Sequence, residues 1–350
     1  MITFIKKFIK IISINILLIL LIILSAELLF GYWFDKDNFG PYMREHRMKN
    51  QRIIYKNATE EVTYFYRRNY FGFRGADIDP SKIQAVIFGG SVIDERYKPD
   101  KYTITGFLNK KLKENNFNVN FINGGIEGQS SAGMVSNFNV WLNKLKNFSP
   151  KYIIYYVGIN DSLISENIVL SNEHDGHLLR NEKKAVFLDN IRSRSILLDS
   201  LRKIKFKFLP KKGFVKYNGK ITKDYIDNFK FTTYVDAEKK YDVNFLQIKH
   251  KKRIKNYLMR IDKLHEYSNK INSKPIFVTN IGSKGYDEKL FIQNYSIMKH
   301  CKKKNYHCMD LAKELNPKIE YWVDDVHTSK SGSEAIAEKI YNNIKNIIIN

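Results

Sequence analysis

Four short stretches of this chain hold residue types that can carry out acyl transfer: Gly89-Gly90-Ser91, Asn123-Gly124-Gly125 running on to Gly128, Gly158-Ile159-Asn160-Asp161, and Asp324-Asp325-Val326-His327. A serine hydroxyl is a weak nucleophile until a base takes its proton. An imidazole serves as that base when a nearby carboxylate holds its tautomer. The oxyanion that then forms needs fixed donors, which glycine-loop N–H groups and an asparagine amide can supply. Ser91 as nucleophile, His327 as base, Asp324 as its orienting acid, and the glycine-loop N–H groups and the Asn160 amide as donors make a full set of parts.

The elements that must position them are also readable. Ile83 to Phe88 is a short apolar run ended by two glycines, as a buried strand with a sharp exit would be, and helical spacing follows at Thr105, Leu108 and Leu112. Ser91 then stands at the carboxyl end of a strand, where open α/β sheets place ligands. The other reading of Ser91 is a cap for the next helix. Val119 to Ile122 leads into the glycines, which serve equally as ordinary loop punctuation. Tyr152 to Val157 is uninterruptedly apolar, as a central parallel strand is, and delivers Asn160 to the same edge; the rival reading there is an Asn-Asp turn. Asp-x-x-His occurs twice. Asp262/His265 lies inside a helical pattern and reads as a solvated i,i+3 contact, whereas Asp324/His327 immediately precedes a helix. No dinucleotide fingerprint and no G-x-S-x-G elbow is present, and acid and base are three residues apart on one loop, unlike an α/β-hydrolase.

These four blocks, in this order from Ile83 to the C-terminus, resemble those of the SGNH (GDSL-like) hydrolases. The resemblance implies a three-layer α/β/α sandwich on a five-stranded parallel sheet of flavodoxin-like type, with further strands at Pro275–Thr279 and Tyr306–Asp310. It also implies Ser91 as nucleophile, His327 as base with Asp324 as its partner, and Gly128 and Asn160 as oxyanion donors helped by the Ser91 N–H, with no metal and no cofactor. One position departs from the pattern: the usual Asp before the serine is Gly90, as is common in membrane-anchored members. A Gly72-Phe73-Arg74-Gly75 element like the one before the serine block in anchored relatives reads as a packing element.

Lys6, Lys7 and Lys10 precede an uncharged stretch from Ile11 to Ala26, about 24 Å of helix, extended past Glu27 by Leu28 to Phe34. Lysines on the short leading side orient such a span with its N-terminus inside, leaving the following domain outside the cytoplasm. The alternative is a cleaved signal peptide, against which Leu24-Ser25-Ala26 is a poor cleavage site. The expected organisation is an anchor at 1–34, a connector at 35–80 and a hydrolase domain at 81–350, with an insertion from 162 to 244 suited to substrate selection.

The net charge of +23 is spread widely, with denser basic stretches at Arg202 to Lys220 and Lys249 to Lys255. The first mixes Ile204, Phe206, Phe208 and Leu209 with lysines, either as a membrane-surface segment or as a solvated basic face. Nucleic acid is not an expected partner outside the cytoplasm; an acylated envelope glycan or lipid is. His174-Asp175-Gly176-His177 reads as a polar loop, lacking a third ligand. Cys301 and Cys308 form either a disulfide or two buried thiols. The sequence points to a serine esterase acting on O-acyl, especially O-acetyl, groups. An O-acyltransferase with the same triad and a non-catalytic glycan-binding or assembly protein are the alternatives.

Overall fold

The computed structural model describes residues 2–31, 33–34, 51–56, 61–69, 71–169, 229–316 and 318–348, together with 191, 194–198, 200–201 and 204. His174-Asp175-Gly176-His177 and most of the basic stretch from Arg202 to Lys220 lie outside the described residues. The N-terminal helix runs Ile2–Phe30, and its apolar side chains are exposed on all sides. It is long and apolar enough to cross a membrane, a property that signal sequences share.

A two-stranded antiparallel ribbon follows, β1 (Gln51–Lys56) and β2 (Glu61–Tyr66). The main sheet is parallel and five-stranded: β3 (Ala85–Phe88), β4 (Phe121–Asn123), β5 (Tyr152–Val157), β6 (Lys274–Thr279) and β7 (His307–Met309), in the order β4-β3-β5-β6-β7. The outer strands are shorter than their apolar runs suggest. Val119 and Asn120 precede the ladder with β3, and only His307 to Met309 pair with β6.

Period-two alternation divides the core. Ile87, Ile154, Ile276 and Val278 face one way, onto Phe107, Leu108 and Leu112 of helix Ile104–Glu114 and Ile336 and Ile340 of helix Lys330–Ile344. Val86, Phe88, Tyr155 and Phe277 face the other, onto Met134 of helix Ser131–Val140 and Ile261 and Leu264 of helix Lys251–Lys270. All six residues of β5 are buried because helices cover both of its faces. The result is a three-layer α/β/α sandwich. Cys301 and Cys308 form a disulfide with Cα atoms 6.2 Å apart, joining the end of helix Glu288–Lys304 to β7.

The chain leaves β3 first for β4 on one side and then for β5 on the other. Such a reversal opens a crevice at the carboxyl ends of the two inner strands, because the connecting helices depart to opposite faces. Ser91 follows β3 and Asn160 follows β5, so they flank this crevice.

Candidate active site

Ser91 is the first residue of a single-turn helix, Ser91–Asp94. Gly90, not Ser91, is the N-cap, so the serine hydroxyl is not engaged in capping. It lies 2.8 Å from His327 Nε2 instead. His327 Nδ1 is 2.8 Å from Asp324 Oδ2. Asp324 Oδ1 also accepts the backbone N–H groups of Val326 and His327, at 2.8 and 2.7 Å, so acid and base are held in one tight turn. Partial burial works to raise the Asp324 pKa. The His327 hydrogen bond and charge and the two backbone donors outweigh it and hold the carboxyl down at about 2. With Nδ1 bonded to a carboxylate, Nε2 is left as the acceptor facing the serine.

Asn160 Nδ2 donates to the Gln129 carbonyl at 2.8 Å, which leaves a second amide hydrogen for another acceptor. Gly128 adjoins Gln129 and has φ +75°, a left-handed conformation natural to glycine. Gly90 faces the same amide. A Cβ there would meet Asn160 Nδ2 at 2.1 Å and the Gln129 carbonyl at 3.1 Å. Glycine at position 90 therefore leaves the space that the Asn160 amide occupies.

Each loop is braced from behind. Asn123 accepts from Gly125 N at 2.9 Å and donates to Ile93 O at 2.6 Å, tying the glycine loop to the Ser91 helix. Asp161, fully buried, accepts from Ser131 N–H and hydroxyl and pairs with Arg260 at 3.2 Å. The loop after β6 reaches the base: Ser283 N donates to Asp325 O at 2.9 Å, and Lys284 pairs with the Asp325 carboxylate at 2.6 Å. Asp262 and His265 make different contacts from the i,i+3 pair expected of them. Asp262 accepts from His300 at 2.7 Å and Tyr306 at 3.0 Å, while His265 stacks on the Tyr306 ring.

A buried ionic network around Ser91 was not visible in the sequence. Arg68 pairs with Asp94 at 3.0 Å and donates to the Gly125 carbonyl, while Tyr66 donates to the same Asp94 oxygen at 2.6 Å. Arg74 donates to the carbonyls of Asp94 and Lys98 and pairs with Asp100 at 2.7 Å. Arg68, Phe73 and Arg74 come from the stretch that reads as a connector, and the Gly-Phe-Arg-Gly element packs against the back of the nucleophile turn.

Glu95 and Lys98 form a second pair, 2.5 Å apart and almost wholly buried. Glu95 also accepts from Ile104 N, Thr328 Oγ1 and Ser333 Oγ. Lys98 donates to Thr328 O at 2.8 Å, Thr328 Oγ1 at 3.1 Å, Ser329 O at 3.2 Å and the Ser333 hydroxyl. Burial pulls the Lys98 pKa down, opposed by Glu95. Glu95 adopts φ 43°, ψ 37°, a left-handed conformation that disfavours side chains, and its four polar contacts offset the strain. The network joins the turn after Ser91 to the residue after His327.

A cavity of about 320 Å³ opens beside Ser91 and His327, with Tyr55, Arg96, Tyr97, Glu320, Lys330 and Glu334 on its walls. A broader cleft of about 720 Å³ passes Ile159, Asp325 and Val326 on the other flank of the base loop. Among the described residues no group of three or more His, Cys, Asp or Glu side chains is placed to hold a metal ion.

No protein-family model matches the chain, and no curated protein matches it in sequence. Solved structures are similar to it. The psychrotrophic esterase EstA of Pseudoalteromonas sp. is 14% identical, with 76% of this chain and 100% of that one covered and a TM-score of 0.41. A member of the lipolytic protein G-D-S-L family from Veillonella parvula is 14% identical over 74% of this chain and 96% of that one, with a TM-score of 0.40.

Proposed function

We propose that the chain is a membrane-anchored serine esterase of the SGNH type, hydrolysing O-acyl, especially O-acetyl, groups on an envelope glycan or lipid. The observation that carries this reading is the hydrogen-bonded line Asp324–His327–Ser91, with both links at 2.8 Å, standing at the reversal point of a parallel sheet with the Asn160 amide across the crevice. Separations of this kind are what proton transfer from a nucleophile to a base requires.

In the proposed cycle, His327 Nε2 takes the Ser91 proton as Oγ attacks the ester carbonyl. The negative oxygen of the tetrahedral intermediate is received by Asn160 Nδ2 and by backbone N–H groups at Gly128 and Ser91. Collapse of the intermediate breaks the bond to the alcohol oxygen, which leaves with the proton from His327. Water, deprotonated by the same imidazole, then attacks acyl-Ser91 and releases the acid. Ionised Asp324 stabilises the imidazolium in both steps.

The cavity beside Ser91 exceeds what a two-carbon acyl group fills, and its walls carry phenol, guanidinium, ammonium and carboxylate groups. Those features suit the hydroxylated alcohol part of an ester of sugar size. The apolar helix ahead of the domain, led by Lys6, Lys7 and Lys10, supports an anchor with the domain on the far side of the membrane.

Hydrolysis of p-nitrophenyl acetate by the detergent-solubilised full chain, beside its Ser91→Ala variant, tests the reading. Turnover that vanishes in the variant is the expected result. Equal, negligible rates in both would remove the esterase reading. An acetylated sugar product formed with a glycan acceptor present would make the acceptor a sugar hydroxyl rather than water.

A further inference from the structure

Glu27 interrupts the apolar run of the N-terminal helix, and its partners lie far away in the sequence. Its carboxylate accepts from Ser195 Oγ at 2.6 Å, Leu197 N at 3.0 Å and Ile196 N at 3.2 Å, and from the Trp33 indole at 2.9 Å. It therefore caps the start of a helical turn that belongs to the insertion. From this turn onward Leu197, Leu198, Leu201 and Ile204 are exposed, by 42, 39, 54 and 54%. Their spacing of i, i+1, i+4 and i+7 is that of one helical face.

We propose that the turn at 195–198, with Leu201 and Ile204, forms a second membrane-contact element, held by Glu27 at the exit of the span, with these four apolar side chains seated in the interfacial layer of the bilayer. The proposal rests on the anchor part of the proposed function and not on the esterase chemistry.

Depth carries it. Lys10 and Glu27 are seventeen positions apart, about 25 Å of helix against a hydrocarbon core of roughly 30 Å. With Lys10 at one boundary, Glu27 comes within about 5 Å of the other, where a carboxylate needs donors to be tolerated. Whatever bonds to Glu27 shares its depth, so the turn at Ser195 sits where the span meets headgroups. Exposed leucines at that level fit the bilayer rather than bulk water. The Glu27 contacts also give the N-terminal helix a place in the folded protein, which a discarded leader lacks.

The test uses the full-length protein in phosphatidylcholine vesicles, with and without phosphatidylglycerol. Nitroxide is attached to Leu201→Cys, Ile204→Cys or, as an aqueous control, Lys113→Cys; the native cysteines are disulfide-bonded and leave only the added thiol to label. Labels at 201 and 204 should be relaxed by oxygen and shielded from a water-soluble nickel chelate, in either lipid, with the reverse at 113. Nickel access at 201 and 204 equal to that at 113 would overturn the proposal, as would dipolar broadening showing a second copy on this face. An intact mass lacking the first 26 residues would overturn it too. Glu27→Ala should return the 201 label to nickel access while the protein still pellets with membranes at alkaline pH; unchanged shielding would refute the clasp. None of these readouts uses turnover, so an inactive Ser91 would leave this result standing.

Discussion

Lys98→Met isolates the coupling between nucleophile and base. The ammonium it removes has 8% of its side chain exposed, and the Glu95 partner left behind has 2%. Removing one member of a buried pair costs about 3–5 kcal/mol, because the remaining charge has neither water nor counter-ion. Glu95 keeps donors from Ile104 N, Thr328 and Ser333, which places the cost near the lower end, about 3 kcal/mol. At about 2–4 °C per kcal/mol for a domain of this class, the melting temperature should fall by roughly 6–12 °C. The substitution also takes the Lys98 donor from the carbonyl of Thr328, the residue next to His327. A displacement of the imidazole by about 1 Å lowers turnover on the order of a hundredfold. Thermal unfolding and steady-state hydrolysis of p-nitrophenyl acetate measure the two effects. Glu95→Gln/Lys98→Met, which removes the stranded charge but keeps an acceptor for Ile104 N, should regain at least half of the lost stability. A single variant melting within about 1 °C of the parent would refute this account. So would a double variant less stable than the single one, because the stranded carboxylate would then not be the cause.

Gly90→Ala places a methyl group 2.1 Å from Asn160 Nδ2 and should lower kcat about a hundredfold with little change in KM, since in the proposed cycle the displaced donor acts on the oxyanion; full turnover in steady-state assays would remove Asn160 from that role. Asp324→Asn should cost on the order of 10⁴-fold in kcat, because the neutral amide neither fixes the imidazole tautomer with Nδ1 protonated nor stabilises the imidazolium. The same variant tests linkage. The folded pKa of Asp324 is depressed to about 2, so its contribution to stability is present above the ordinary carboxylate value of about 4 and is lost as pH falls toward 2. Urea midpoints taken stepwise through that window should fall less steeply in the variant than in the parent. Cys301→Ser/Cys308→Ser opens a loop of separation 7 and should cost about 2 kcal/mol, read as a lower urea midpoint at unchanged slope.

What the sequence determined by itself is local. Buried strands such as Tyr152–Val157 announce themselves through uninterrupted apolar runs, and Gly89-Gly90, Gly158 and the Asp324–His327 turn mark their own bends, because strand period and turn chemistry are set by neighbours along the chain. Ser91, Asn160, Asp324 and His327 were legible for that reason, as residues waiting at strand ends and on a loop before a helix. Their meeting, and everything behind them, was decided by tertiary structure. Lys98 grips Thr328 across 230 positions, and Arg68 reaches Gly125 across 57. A charged residue in a sequence carries no sign of whether water or a buried partner will receive it, so nothing there singles out Glu95, Lys98 or Arg68, and Arg74 enters only as part of a packing element. Folding removes water from all four, and the desolvation cost then allows only arrangements in which every charge is paired. Asp262 shows the same limit: its partners are His300 and Tyr306, brought to it by packing and not by spacing along its own helix.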